Sequence, residues 1–157
     1  MNDTIERSQT HATFVIERTY PVPVEAVWHA LSDNDARDQW FGGGPVFDVD
    51  EKSHEFRVGG HGSEDGQWHG GPRSRFHSTY TDIVDLQRIV FTYDMWVDDR
   101  HMSTSLTTIA LEAAGGQTRL TYTEQGVHFD GLYSPERLEQ ATAGLLDLLG
   151  SYLARSH

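Results

Sequence analysis

The segment SPERLEQATAGLLDLLGSYL, residues 134–153, decides the fold because it carries the longest helical pattern in the chain. Ser134 is a favoured N-cap residue, and Pro135 suits the first helical position. The apolar residues that share one face of this helix are Leu138, Ala141, Leu145, Leu148, Leu149 and Tyr152. A helix of about 20 residues with such a face must bury it against another element.

Upstream of this helix, short segments alternate apolar and polar residues as half-buried strands do. Strands are predicted at residues 12–20, 45–50, 55–58, 76–84, 89–97, 102–112 and 118–124. An amphipathic helix at residues 23–32 and a shorter helical turn at residues 35–40 follow the first strand. The short connections between the later strands are typical of antiparallel hairpins. The predicted fold is therefore α+β, with a sheet in one layer and the C-terminal helix in the other.

The segment GGHGSEDGQWHGGP at residues 59–72 holds six glycines and shows neither the helical nor the strand period. It is predicted to be a mobile loop, either a lid or disordered surface. Four of its side chains are of types that ligate cations: His61, Glu64, Asp65 and His69. The flexible glycines and the lack of a recognised metal-binding spacing weigh against such a site, so we expect no metal and no other cofactor.

Composition narrows the functional classes. The chain has 157 residues, no cysteine and a formal net charge of -12. This length suits one domain, placed at residues 11–157 after a flexible arm at residues 1–10. The cysteine count excludes disulfide frameworks and thiolate sites, and the acidic balance argues against nucleic acid as a partner. With neither a long apolar span nor an apolar leader, we expect a soluble cytoplasmic protein without a membrane partner.

Five motifs in a fixed order carry a family resemblance. They are FVIERTYPVPVEAVWHALSD at residues 14–33, DQWFGGGP at 38–45, FRVGG at 56–60 with the later EDG, DIVDLQRIVFTYDM at 82–95, and RLTYTEQGVHFDG at 119–131. Together they resemble the START-like or SRPBCC superfamily, also described as the birch-pollen-allergen fold. Within it, the chain is similar to the branch of homologues of the activator of heat-shock protein 90 ATPase. Asp85-Leu86 stands where family members often carry a Pro-Pro turn, which looks like a subfamily difference.

The resemblance implies a helix-grip fold, in which a curved antiparallel sheet wraps around the long C-terminal helix. It also implies a cavity between sheet and helix that commonly receives apolar molecules, without specifying one chemistry.

Alternation along the strands selects the residues expected to face this cavity. The predicted ligand-binding residues are Trp28, Trp40, Phe56, Phe76, Tyr80, Phe91, Tyr93, Ser103, Ser105, Tyr122, Glu124, Leu145 and Leu149. Large aromatic rings mixed with small hydroxyls are typical of a ligand pocket. The alternative is that the aromatic residues simply fill the core against the C-terminal helix.

Glu124 is the most informative polar residue, because alternation places its carboxylate on the apolar face of the last strand. Burial without a partner would raise its pKa, so it could orient a ligand hydroxyl or act as a general base. The alternative is a strand-end carboxylate that reaches solvent or pairs with an arginine such as Arg75 or Arg88. If the protein is an enzyme, Glu124, Tyr80 and Asp82 are the candidate catalytic residues.

Three functions are compatible with these residues. The leading hypothesis is a protein that binds a small apolar molecule between sheet and helix. The second is an enzyme of cyclase, aromatase or hydrolase type that uses the same pocket. The third is a co-chaperone role, which the resemblance suggests although the activator itself carries an additional N-terminal domain. A homodimer formed through exposed strand positions such as Trp96 and Val97 is also predicted.

Overall fold

A computed structural model describes residues 6–42 and 44–156. Within this part of the chain, seven strands and three α-helices are arranged as two layers. In chain order the elements are β1 (Gln9–Tyr20), α1 (Val24–Ser32), α2 (Asn34–Arg37), β2 (Phe47–His54), β3 (His61–Trp68), β4 (Arg73–Val84), β5 (Arg88–Val97), β6 (Arg100–Ala114), β7 (Gln117–Phe129) and α3 (Pro135–Ser156).

The strands form one antiparallel sheet in the order β1-β7-β6-β5-β4-β3-β2. All neighbours except the β1–β7 pair are consecutive in the chain, as short hairpin connections require. The pairing register shifts between Val49 and Glu51, between Tyr80 and Asp82, and between Met95 and Trp96. Such bulges bend their strands and increase the local twist, which helps the sheet to curve. This is the predicted α+β helix-grip architecture.

The core lies between the inner face of the sheet and the helices. Val27 of α1, Leu120 of β7, and Leu149 and Leu153 of α3 are fully or almost fully buried there. The Tyr20 hydroxyl at the end of β1 donates a hydrogen bond of 2.8 Å to the carbonyl oxygen of Leu146, which links the first strand directly to α3. Burial of the apolar face of α3 against the apolar inner face of the sheet holds the helix across the sheet.

Between residues 141 and 153, most buried positions of α3 lie one residue after the predicted ones, a rotation of about 100° around the helix axis. Its buried residues are Leu138, Thr142, Leu146, Leu149 and Leu153, whereas Leu148 is 51% exposed. The prediction followed the most apolar face. Packing instead selects positions separated by three or four residues that include Thr142, whose hydroxyl donates to the carbonyl oxygen of Leu138 and so is satisfied without water.

The predicted mobile loop at residues 59–72 is wrong over most of its length, because His61–Trp68 is the strand β3. Its glycines meet a packing requirement. A side chain at Gly66 would clash with the ring of Phe47, approaching its Cζ to 2.6 Å, and with the carbonyl oxygen of Asp48. Glycine here lets β2 and β3 approach closely.

The predicted flexible arm overlaps the first strand. Gln9 and Thr10 pair with Phe129 and His128 at the end of β7, and the backbone N–H of Ser8 donates to Asp130 at 3.0 Å. The arm prediction is therefore wrong for these residues, while residues 1–5 lie outside the described part of the chain.

Candidate functional site

A cavity of about 310 Å³ lies between α3 and the inner face of the sheet, with α1, α2 and the chain after α2 at one end. This volume lies at the lower limit of the ~300–1,000 Å³ usual for small-molecule sites. Aromatic side chains from β2, β4, β5 and the chain after α2 dominate its wall, including Trp40, Phe47, Phe76, Phe91 and Tyr93.

Strand alternation positions the central part of this wall. Phe76, Ser78 and Tyr80 of β4 and Phe91, Tyr93 and Met95 of β5 project from the same face and line the cavity. Tyr122 of β7 and the α3 residues Leu145 and Leu146 complete the wall. The alternating pattern predicted the orientation of these strand residues correctly up to the bulges.

Seven of the thirteen predicted ligand-binding residues line the cavity: Trp40, Phe76, Tyr80, Phe91, Tyr93, Tyr122 and Leu145. The other six do not. Trp28 packs edge-on against Phe56, with their ring centroids 5.7 Å apart, and Leu149 is in the core. Ser103, Ser105 and Glu124 are buried behind the cavity wall. Whether the seven lining residues bind a ligand stays a prediction.

Several lining residues were not predicted. The largest or most polar of them are Leu31, Arg37, Phe41, Phe47, Glu64, Trp68, Ser74, Ile89, Ile109, Leu138, Thr142 and Leu146. Glu64 and Trp68 were missed because β3 was interpreted as a loop. Alternation was the signal available for Ile89 and Ile109, since Ile89 stands two positions before Phe91 and Ile109 four positions after Ser105, both of which were assigned inward. We find no sequence signal that would have placed Arg37 of the short helix α2 at the cavity.

Glu124 lies directly behind the wall and is 1% exposed. Its carboxylate accepts hydrogen bonds from the Tyr93 hydroxyl at 2.8 Å, the Tyr122 hydroxyl at 3.0 Å and the Ser105 hydroxyl at 3.1 Å. The Thr107 hydroxyl lies farther away, 3.5 Å from Glu124 Oε1, and makes at most a weak hydrogen bond. The register of β5, β6 and β7 brings these hydroxyls together around one carboxylate. We call these five residues the Glu124 cluster.

The electrostatics of the Glu124 cluster follow from burial. Desolvation raises the pKa of Glu124, while the hydrogen bonds from Tyr93, Tyr122, Ser105 and Thr107 oppose this rise. Burial and the neighbouring carboxylate raise the pKa of both Tyr93 and Tyr122 well above the ordinary tyrosine value. Both tyrosines are therefore neutral hydrogen-bond donors whose rings form part of the cavity wall.

The alternative in which Glu124 reaches solvent or pairs with Arg75 or Arg88 is wrong, because Glu124 is 1% exposed and both arginines have other partners. Arg75 approaches Asp65 at 3.7 Å, and Arg88 pairs with Asp82 at 2.7 Å. The bulge after Tyr80 reverses the alternation of β4, so the half-exposed Asp82 does not line the cavity. The predicted catalytic role of Asp82 therefore loses its geometric basis.

Tyr80 is the third cavity tyrosine, and a histidine fixes its hydroxyl. His54 Nδ1 lies 2.6 Å from Asn34 Oδ1, and His54 Nε2 lies 2.6 Å from the Tyr80 hydroxyl. Because an amide oxygen only accepts, Nδ1 carries the proton and Nε2 accepts from Tyr80. Burial and nearby Arg37 lower the pKa of His54 to about 4, which keeps the ring neutral in this arrangement.

Charged groups line the end of the cavity opposite the Glu124 cluster. The Arg37 guanidinium lies over the Phe41 ring, 3.7 Å from its centroid, and the Glu64 carboxyl of β3 reaches the backbone at Gly42. Gly42 has a φ of 118°, and a side chain there would approach Glu64 Oε2 to 2.7 Å. Burial raises the pKa of Glu64, with Lys52 and Arg37 opposing this rise.

Three of the four residues considered for a cation site have separate partners in the structure, and the fourth points elsewhere. His61 contacts Thr79, His69 contacts Asp48, and Asp65 contacts His77 on the outer side of the sheet, while Glu64 faces the cavity. Across residues 6–42 and 44–156, no three side chains of the metal-ligating types come together.

Residues 21–154 match the family model described as Activator of Hsp90 ATPase homolog 1-like protein. The chain belongs to this family. The match covers all the elements around the cavity, and the fold agrees with the SRPBCC superfamily in which the family's helix-grip domains lie.

Solved structures show the same fold. The chain is 44% identical to the Mll3558 protein from Rhizobium loti, with a TM-score of 0.85 over 92% of this chain and 99% of that one. An uncharacterized protein from Rhizobium leguminosarum is 35% identical, with a TM-score of 0.91 over 96% and 99% of the two chains. An AHSA1-like protein from Aeromonas hydrophila is 20% identical, with a TM-score of 0.70 over 92% and 94%. No curated protein matches the chain.

In the part of the family member that the structure describes, no helix combines the length and the apolar character needed to cross a bilayer.

Proposed function

We propose that this family member binds a small, largely apolar molecule in the cavity between the sheet and α3. The observation that carries the proposal is a cavity of about 310 Å³ whose wall is built mainly from aromatic and aliphatic side chains. Removing the apolar surface of a ligand from water would drive its binding.

The rigidity of the wall supports the same function. Most lining residues lie on β4, β5 and α3, and hydrogen bonds hold the hydroxyls of Tyr80, Tyr93 and Tyr122 in place. A wall that is already ordered loses little conformational entropy when a ligand enters.

Two measurements test the proposal. Native mass spectrometry of the freshly purified protein, compared with the denatured mass, would detect a molecule that co-purifies. Equilibrium dialysis with naphthalene, a probe without any polar group, would measure uptake by the cavity directly. We expect saturable uptake of one naphthalene per chain.

Matched variants locate the uptake. Ala141 lies on α3 at the solvent-exposed margin of the cavity, so the large side chain of Ala141→Trp should obstruct the cavity and reduce naphthalene uptake at least about tenfold. Ala154→Trp makes the same change at an exposed position of α3 away from the cavity and should leave uptake unchanged. Absence of saturable uptake by the unmodified protein, or equal loss in both variants, would overturn the proposal.

A second candidate function is proton-transfer catalysis, which the Glu124 cluster favours. Tyr93 and Tyr122 line the cavity and donate to a buried carboxylate, so a proton lost by a substrate could reach Glu124 through either tyrosine. Under this hypothesis Glu124→Gln abolishes turnover of a substrate but leaves its binding intact. Turnover that survives this substitution would exclude the role.

A further inference from the structure

The charged end of the cavity holds a buried carboxylate without a hydrogen-bond partner among the described residues. Glu64 is 8% exposed and lines the cavity. Within residues 6–42 and 44–156, neither a backbone group nor a side chain donates to its carboxylate. Lys52, its cross-strand neighbour on β2, is instead paired with Asp38 at 2.7 Å. A largely buried carboxylate that lines a cavity and receives no donor from these residues is left to accept a hydrogen bond from a molecule in the cavity.

Arg37 presents the complementary group at the same end. It lines the cavity, and its guanidinium is stacked on Phe41. In the described part of the chain this side chain forms no ion pair and donates no hydrogen bond, although it is close enough to Glu64 to oppose the rise in that residue's pKa. A guanidinium has five donors and no acceptor, and stacking leaves its edge free to donate.

These two groups restrict the chemistry of a ligand's polar end. An anionic head group would accept a hydrogen bond from Arg37 but be repelled by ionised Glu64. A cationic head group would be attracted to Glu64 but repelled by Arg37. A neutral hydroxyl satisfies both, because its oxygen accepts from Arg37 while its proton is donated to Glu64. The surrounding rings of Trp40, Phe41 and Trp68 would pack against an aromatic body.

We propose that Arg37 and Glu64 form a head-group site that selects aromatic ligands bearing a neutral hydroxyl, such as phenols, over the corresponding acids and amines. This inference rests on the proposed binding function and specifies the class of ligand. The Arg37 guanidinium donates a hydrogen bond to the ligand oxygen, and the Glu64 carboxylate accepts one from the ligand hydroxyl.

Equilibrium dialysis at pH 7 with four probes that share one ring system tests the selection. The probes are naphthalene, 2-naphthol, 2-naphthoate and 2-naphthylmethylammonium. Two hydrogen bonds to charged partners should make 2-naphthol bind at least about tenfold more tightly than naphthalene, and both charged probes should bind more weakly than 2-naphthol.

Two substitutions should then change the order of preference in opposite directions. Glu64→Gln removes the negative charge, so binding of 2-naphthoate should strengthen by about tenfold while that of 2-naphthol weakens. Arg37→Met removes the positive charge and should strengthen binding of the ammonium probe instead. The controls Glu55→Gln and Arg57→Met make the same charge changes in an exposed pair away from the cavity and should change no preference.

The outcomes separate the two proposals. If naphthalene binds but 2-naphthol has no advantage over it, or if neither substitution changes the order of the charged probes, the head-group site is wrong and the apolar binding function stands. If no probe binds, both proposals fail. Naphthalene binding that is retained in Glu64→Gln and Arg37→Met shows that each variant keeps its cavity, so a changed preference cannot result from misfolding.

Discussion

Glu124 illustrates what a single residue contributes and how far sequence predicts it. Alternation along the last strand placed its carboxylate on the inner face, where it is buried. The partners could not be predicted, because they come from three strands whose relative register depends on the length of each hairpin and on the bulges. The carboxylate therefore has four hydroxyl groups around it and not the arginine considered as a partner from the sequence.

Removing one hydroxyl from the Glu124 cluster should be costly. Tyr122→Phe keeps the ring in the cavity wall but leaves the buried carboxylate with one donor fewer, so we expect a loss of about 1–3 kcal/mol in the free energy of unfolding. Urea denaturation at pH 7 measures it.

Tyr152→Phe is the matched control for this prediction. Tyr152 is half-buried on α3, and its hydroxyl makes no hydrogen bond within the described residues, so its loss should change stability by no more than about 0.5 kcal/mol. Equal effects of the two substitutions would show that the hydrogen bond to Glu124 contributes nothing measurable.

At the scale of elements, sequence periodicity predicted six of the seven strands and all three helices. It missed β3, and the strand predicted at residues 55–58 is wrong, because the chain turns there between β2 and β3. The strand HGSEDGQW contains no alternating apolar residues, and its glycines suggested flexibility. Its inward positions are instead filled by Gly62, Glu64 and Gly66, where close approach of neighbours or a cavity makes an apolar side chain unnecessary. A pattern of hydrophobicity cannot detect a strand whose inner face meets a cavity and a crowded neighbour.

The corrected face of α3 provides a direct test with two adjacent leucines. Leu149 is fully buried and Leu148 is 51% exposed, although both were assigned to the buried face from sequence. Leu149→Ala should lower the free energy of unfolding by about 2–5 kcal/mol, since it removes buried methyl groups and leaves a void. Leu148→Ala should change it by no more than about 0.5 kcal/mol. Thermal or urea unfolding of the two variants measures both effects. A larger loss of stability for Leu148→Ala than for Leu149→Ala would show that α3 is rotated from this position.

At the scale of the whole molecule, the fold was predictable because the order of strand and helix patterns admits few two-layer arrangements and because several motifs agree with one family. The cavity was predictable only in part. Its central wall follows from alternation, but its charged end forms where β3 meets α2 and the chain around Gly42, and folding alone brings β3 to these residues. Self-association through Trp96 and Val97 stays a prediction, and Trp96 is already stacked on His101 and covered by Arg75 and His77.

Buried titratable groups should make stability respond to pH in two opposite directions. The pKa of His54 is lowered from 6.5 to about 4, so the unfolded chain binds more protons there and stability falls as the pH decreases through this range. The pKa values of Glu64 and Glu124 are raised, so their contribution is present at low pH and is lost as the pH rises through their folded-state pKa values.

His54→Gln isolates the first effect. The variant loses the hydrogen bond that Tyr80 donates to His54, so its free energy of unfolding at pH 7 should be lower than that of the native protein. This difference should shrink as the pH falls from 6.5 to about 4, because only the native protein loses the contribution of neutral His54 over this range. For Glu124→Gln, the stability relative to the native protein should improve as the pH rises instead. Unfolding curves at several pH values measure both differences, and a constant deficit for His54→Gln would show that His54 does not titrate with folding.

The separation between the two polar regions of the cavity has a consequence for how such a protein can diversify. The Glu124 cluster belongs to the central strands β5, β6 and β7, whereas Arg37 and Glu64 belong to α2 and β3 toward the far edge of the sheet. Under the proposed binding function, substitutions at the edge should therefore alter which molecules the cavity accepts without disturbing the Glu124 cluster of the central strands. Mutational libraries confined to positions 37 and 64 should yield folded proteins with new preferences, which makes this edge a natural starting point for redesign.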